Sequence, residues 1–138
     1  WSDLSAGLPQ RYINDIAPDP ANPSRALAAV GGFGTAHLWA WTGSAWEARG
    51  AGLPNVPANA VVMLSGTEVL VGNDVGIFHS RDGGGNFAPY MRGLPLGVVV
   101  TDLKVNPHTG TVTAGTYGRG VWQAPFPSGH QRPVGAPQ

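Results

Sequence analysis

Ser80-Arg81-Asp82-Gly83-Gly84-Gly85-Asn86-Phe87 decides the fold of this chain. The order Ser-x-Asp-x-Gly-x-x-aromatic is the chemistry of a tight hairpin loop. The Asp82 carboxylate can accept hydrogen bonds from the backbone N–H groups that follow it. The glycines permit φ > 0 where the chain reverses. Phe87 is then expected to turn inward and pack between neighbouring sheets. This accounts fully for Asp82, which reads as structural and not catalytic.

Working outward from Phe87, Gly93-Leu94-Pro95 follows six residues on. The same interval separates Trp46 from Gly52-Leu53-Pro54 and Trp1 from Gly7-Leu8-Pro9. An aromatic with its Gly-Leu-Pro therefore recurs three times, at steps of 45 and 41 residues. Periods of about 40–50 residues mark propeller blades of four strands. The Ser80–Phe87 stretch resembles the Asp-box hairpin of sialidase-like and xyloglucanase-like β-propellers, with Phe in place of the commoner Trp. In that family the Asp-box is a structural staple away from catalysis. The resemblance covers residues 1–126. It implies an all-β chain of three four-stranded antiparallel blades, in units of about 1–45, 46–86 and 87–126. Residues 127–138 are Pro/Gly-rich and aperiodic, and read as a tail or linker.

Composition agrees. With 21 Gly, 13 Pro and only 12% charged residues in 138, the chain suits many short strands and turns, not helices. Formal net charge is zero and basic residues do not cluster, which argues against a nucleic-acid partner. No apolar run approaches membrane-spanning length. The absence of cysteine removes any disulfide framework or thiolate metal site. The chain opens on Trp1 without Met, which fits removal of a leader and a secreted or periplasmic protein. The compartment is otherwise left open.

Strands are expected at Trp1–Ser5, Tyr12–Ala17, Arg25–Val30 and His37–Trp41, then from Trp46. Further strands follow at Ala60–Leu64, Glu68–Val71 and Gly76–His79, then from Phe87. The last are at Val98–Val105, Thr111–Ala114 and Gly120–Ala124. With A innermost and D outermost, the order is D, A-B-C-D, A-B-C-D, A-B-C. Three blades are too few for a ring, and an open half-ring leaves an edge unpaired. Two copies solve this. The Trp1 strand of each completes the last blade of the other, giving a homodimeric six-bladed ring about a two-fold axis. The alternative is a three-blade piece of a longer propeller.

One face of such blades carries Asp15, Asn73, Asp74, Asp102, Tyr117 and Arg119. Asp15 and Asp102 align across blades and are expected to approach the channel. With Asp74 they would form an acidic rim, doubled by the two-fold axis. Such a rim would raise some carboxyl pKa values or let Asp15 and Asp102 hold a cation such as Ca²⁺. The plainer expectation is an Asp at a strand start accepting from nearby backbone N–H groups. Val71–Phe78 resembles the Asp-hydrophobe-Gly-Gly segment of xyloglucanase-type propeller glycosidases, although Ile77 replaces the second glycine. That resemblance implies an acid or base role for Asp74, with its symmetry mate opposite. Asp74, Asp102 and Asp15 are thus the catalytic candidates.

Tyr117, Arg119, Phe33, Asn73 and His37 are the substrate-binding candidates. Phe33 and Tyr117 offer stacking surfaces, and Arg119 a bidentate anion contact or a partner for a rim Asp. Gly115–Gly120 also looks like a final-blade sequence of the same family. Glu47 and Glu68 are the only glutamates and arginines are few, which argues against a sialidase. No Ser-His-Asp motif, His-Glu-x-x-His or phosphate loop is present. The expected function is a hydrolase acting on a small glycoside, lactone or other ester. The rivals are a carbohydrate-binding module without catalysis and a structural fragment.

Overall fold

The computed structural model describes residues 1–127. The Pro/Gly-rich tail, from 128 on, lies outside the described residues. Eleven strands form three antiparallel sheets among the described residues. The first holds β1 (Ile13–Asp19), β2 (Asn22–Val30), β3 (Leu38–Trp41) and β4 (Trp46–Arg49), in that order. The second holds β5 (Ala58–Met63), β6 (Val69–Asn73), β7 (Gly76–Ser80) and β8 (Ala88–Pro89). The third holds β9 (Val100–Asn106), β10 (Thr111–Thr116) and β11 (Val121–Pro125). Each sheet is a meander, its successive antiparallel strands joined by two to seven residues.

The turns follow from short polar side chains. Asp19 Oδ1 accepts the Ala21 N–H at 2.8 Å, closing β1 onto β2. Asn106 Oδ1 accepts the His108 N–H at 3.0 Å between β9 and β10. After β7 the loop at 80–87 closes on itself. Ser80 Oγ donates to Asp82 Oδ1 at 2.7 Å and accepts the Gly84 N–H at 2.9 Å. Asp82 Oδ1 accepts the Asn86 N–H at 2.9 Å, and Oδ2 the Asn86 amide at 2.8 Å.

These donors, the Asn86 side chain foremost, hold the Asp82 carboxyl well below the usual carboxylate range. The folded pKa is depressed. Its contribution to stability is complete above the unfolded value of about 4 and is lost as pH falls towards the folded one. Asp82→Ala is therefore expected to lower the melting temperature at pH 7 and to flatten its decline below about pH 4. Thermal scans of both chains across that range check it.

The sheets stack face to face. Leu27, Leu38 and Ala40 of the first meet Val61, Val69, Val71 and Phe78 of the second, with Phe87 among them. Leu70 and Ile77 of the second meet Val100, Leu103 and Val112 of the third. The innermost strands β1, β5 and β9 are successive neighbours. Asp15, at the start of β1, ties the first two together: its Oδ2 accepts the Val61 N–H at 3.0 Å.

The repeat read from sequence is offset by one strand from the sheets. Trp46 and Phe87 open repeats, yet Trp46 begins β4 and Phe87 leads into β8, the outer strands of the preceding sheets. Trp1–Ser5, by contrast, forms no strand. The fourth, outer position of its own first sheet is already held by β4. Leu4 O instead accepts the Trp46 indole N–H at 2.7 Å, and Trp1 is fully exposed. Among the described residues the third sheet holds three strands, with β11 outermost.

The two outward faces differ. Register places Ile16, Ala28, Trp39 and Ala48 together on the first sheet, with Ala26, Trp41 and Trp46 beside them. On the third sheet it places Lys104, Thr113 and Gln123 together, with Asp102, Gly115 and the exposed Val121 beside them. One face is apolar and the other mainly polar.

Candidate functional site

Each innermost strand carries an irregularity at the same place. Ile13 pairs with Val30 and Asp15 with Ala29, which leaves Asn14 over. Ala58 pairs with Asn73 and Ala60 with Gly72, leaving Asn59. Val100 pairs with Thr116 and Asp102 with Gly115, leaving Thr101. A bulge sets two residues against one and re-aims the extra side chain. Three bulges in three adjacent inner strands thus bring Asn14, Asn59 and Thr101 to one end of the stack.

They line a cavity of about 360 Å³ with Asp74, Val99 and Tyr117. Asn59 donates to Asp74 Oδ1 at 2.9 Å and to Val100 O at 3.0 Å. With both amide hydrogens used, Asn59 fixes the Asp74 carboxylate against the third sheet. Asn14 donates to Ala58 O at 2.9 Å and fixes the first sheet to the second. The Tyr117 N–H donates to Val99 O at 2.9 Å, which anchors its loop. Its ring stays exposed. The cavity is therefore one oriented carboxylate among amides and a hydroxyl, flanked by an open aromatic ring.

Of the residues expected from sequence, Asp74 and Tyr117 come together here. The others do not line this cavity. Asp15 spends one oxygen on Val61 and the other on the Ile16 N–H at 2.9 Å. Asp102 accepts the Leu103 N–H at 2.9 Å and the Lys104 ammonium at 3.1 Å. Both carboxylates are thus engaged by backbone N–H groups or by Lys104, and neither is among the residues that line this cavity. Among the described residues no three His, Asp or Glu side chains stand together as a metal-ligand group.

Asn73 is a turn residue. It is buried, and its Oδ1 accepts the N–H groups of Val75 and Gly76, both at 3.0 Å. His37 is also buried, with Nδ1 3.1 Å from Val30 O and Nε2 2.9 Å from Asn55 Oδ1. It lines a separate hollow with Gly34, Leu53 and Asn55, beside the exposed Phe33. Arg119 is exposed, and its carbonyl accepts the Trp122 indole N–H at 2.8 Å. Asn59 went unnoticed in the sequence. Its signal was the alignment of Asn14, Asn59 and Thr101 immediately before Asp15, Ala60 and Asp102.

Three stacked antiparallel meanders, with loop chemistry at their rims and a cavity at the inner strand ends, define β-propeller blades. The solved structures give the same answer. An enzyme of the GH74 class from Niastella koreensis superposes with a TM-score of 0.61 at 22% identity, covering 80% of this chain and 19% of that one. An ancestral GH74 enzyme gives 0.65 at 19% identity, over 84% of this chain and 15% of that one. YCF48 bound to a D1 peptide gives 0.58 at 21% identity, over 84% and 38%. At these identities the likeness is one of fold, and this chain spans less than two fifths of each of those proteins. No family model and no curated protein matches the sequence. No helix of the described residues is long and apolar enough to cross a membrane.

Proposed function

We propose that this chain is half of a six-bladed homodimeric ring whose inner rim hydrolyses a small glycoside, lactone or other ester. The observation that carries the reading is Asp74, held by Asn59 in the cavity at the inner strand ends. An amide-oriented carboxylate can accept or deliver a proton at a bound oxygen. The two-fold axis supplies its mate from the other copy, the paired arrangement that glycoside hydrolysis uses. Tyr117 supplies a stacking face for a sugar ring. Asp15 and Asp102 act in this reading on backbone and blade geometry. The GH74 enzymes among the structural neighbours are compatible with hydrolysis.

Asp74→Asn keeps the shape and the Asn59 contact but removes the base. It is expected to lower kcat/KM on a responsive chromogenic glycoside or ester by roughly 10²–10⁴-fold, with the melting temperature unchanged. Full turnover by the variant would sink the catalytic role. The exposed Tyr117 ring beside a cavity with a single carboxylate also favours a second reading, a glycan-binding module. Glycan binding that Tyr117→Ala weakens, in a chain that turns over none of these substrates, would establish that reading instead.

A further inference from the structure

The outer edge of β11 borders an apolar groove of about 380 Å³, lined by Ile77, Tyr90, Leu94, Val112, Trp122 and Ala124 among others. We infer that this groove and edge receive residues Trp1–Ser5 of a second copy as a fourth strand beside the three that the described residues give the third sheet. The inference rests on the two-copy reading above and gives that contact a site and a register.

Three observations carry it. First, the groove has a filled counterpart one blade earlier. Register aligns Val112 with Val69, Ala114 with Val71 and Trp122 with Phe78. There, Phe87 packs in one cluster with Val69, Val71 and Phe78. Trp1 is the aromatic that matches Phe87 in the repeat, and it is fully exposed in its own chain.

Second, the Gly-Leu-Pro loops show the same vacancy. Gly52 and Gly93 share φ values of +90° and +91°. A Cβ on Gly52 would lie 2.4 Å from the Phe87 carbonyl oxygen, whereas one on Gly93 meets nothing within 4 Å among the described residues. Gly93 lines the groove, so its open side is where an incoming Trp1 backbone would run.

Third, the faces leave strand addition as the main attraction. Lys104, Thr113 and Gln123 on the outward third sheet cannot reproduce the apolar packing between the other sheets. The exposed β11 edge can offer main-chain hydrogen bonds, and the groove an indole pocket.

The register follows from the other outer strands. Trp46 pairs with Trp41, and Ala88 with His79. By the same alignment Trp1 lies opposite Ala124, Ser2 opposite Gln123 and Asp3 opposite Trp122. The chain has no cysteine, so a disulfide reads this directly. Antiparallel partners stand about 4.5–5.5 Å apart at Cα, within disulfide reach.

The double variant Ser2→Cys with Gln123→Cys, mildly oxidised, is expected to form a covalent dimer of twice 14.3 kDa. Ser2→Cys with Val121→Cys, two residues out of register, and each single variant should not. In native mass spectrometry Trp1→Ala and Gly93→Ala should each raise the dimer dissociation constant at least about tenfold. A dimer whose cysteines fail to join, or join within one chain, overturns strand addition alone. A monomer at all concentrations overturns it together with the ring. A covalent dimer without turnover sinks the hydrolase reading and leaves this one standing.

Discussion

Leu70→Ala is expected to lower stability by about 3 kcal/mol, within the range of about 2–5 for emptied leucine sites. Leu70 is the second residue of β6 and is fully buried. It belongs to the cluster in which Ile77, Val98, Val100 and Leu103 join the second and third sheets. The ladders β5–β6 and β6–β7 hold its backbone from both sides, opposite Val62 and His79. A strand pinned on both edges cannot sink into the space a lost isobutyl group leaves, so the cavity term stays large. At this chain length the loss corresponds to a fall in melting temperature of about 10 °C. Urea unfolding should show a lower midpoint at an unchanged slope, the mark of a native-state defect. Leu96→Ala is the control. That side chain is exposed, and its loss should stay within about 0.5 kcal/mol.

Gly52→Ala is expected to cost more than about 2 kcal/mol, for a different reason. Gly52 has φ +90°, a region L side chains rarely adopt. Its added Cβ would also stand 2.4 Å from the Phe87 carbonyl oxygen and 3.3 Å from the Phe87 nitrogen. The clash is with backbone and cannot be relieved by a rotamer. Moving that backbone breaks the bond from the Phe87 N–H to Ala51 O at 2.8 Å and the one from Ala51 N–H to Gly85 O at 3.1 Å. Those bonds clamp the loop after the first sheet to the hairpin loop of the second. Gly93→Ala in monomer has the same φ penalty without the clash, so it should cost about 1–2 kcal/mol. Chemical denaturation of the two variants at low protein concentration measures the difference. Equal losses would show that conformation alone, and not the contact between blades, sets the requirement at Gly52.

Much of this was legible in the chain itself. Gly-Leu-Pro at fixed distance behind an aromatic marked the repeat, because the chain turns in the same way each time, with φ of 93°, 90° and 91° at Gly7, Gly52 and Gly93. The loop at 80–87 was legible because its donors and acceptors lie within eight residues of one another. The site was less so. Asp74 and Tyr117, expected on one face from their loops, line the same cavity. Asp15 and Asp102 were expected beside them, yet each accepts the N–H of the residue that follows it, Ile16 and Leu103. Asn73 was expected at a ligand, and its oxygen is instead taken up by its own turn.

The all-β class, the repeat and its turns were set locally, since strand alternation, glycine placement and Asx chemistry act over a few residues. Which side chains share a cavity depended on the packing of the whole chain. Asn14, Asn59 and Thr101 are aimed together by bulges, and a bulge exists only as a mismatch between a strand and its partner. That packing also decided the fate of Trp1–Ser5, which has the sequence of an outer strand although β4 already fills the outer position of the first sheet. A strand is defined by its neighbour, and that neighbour is set by the packing of the whole chain.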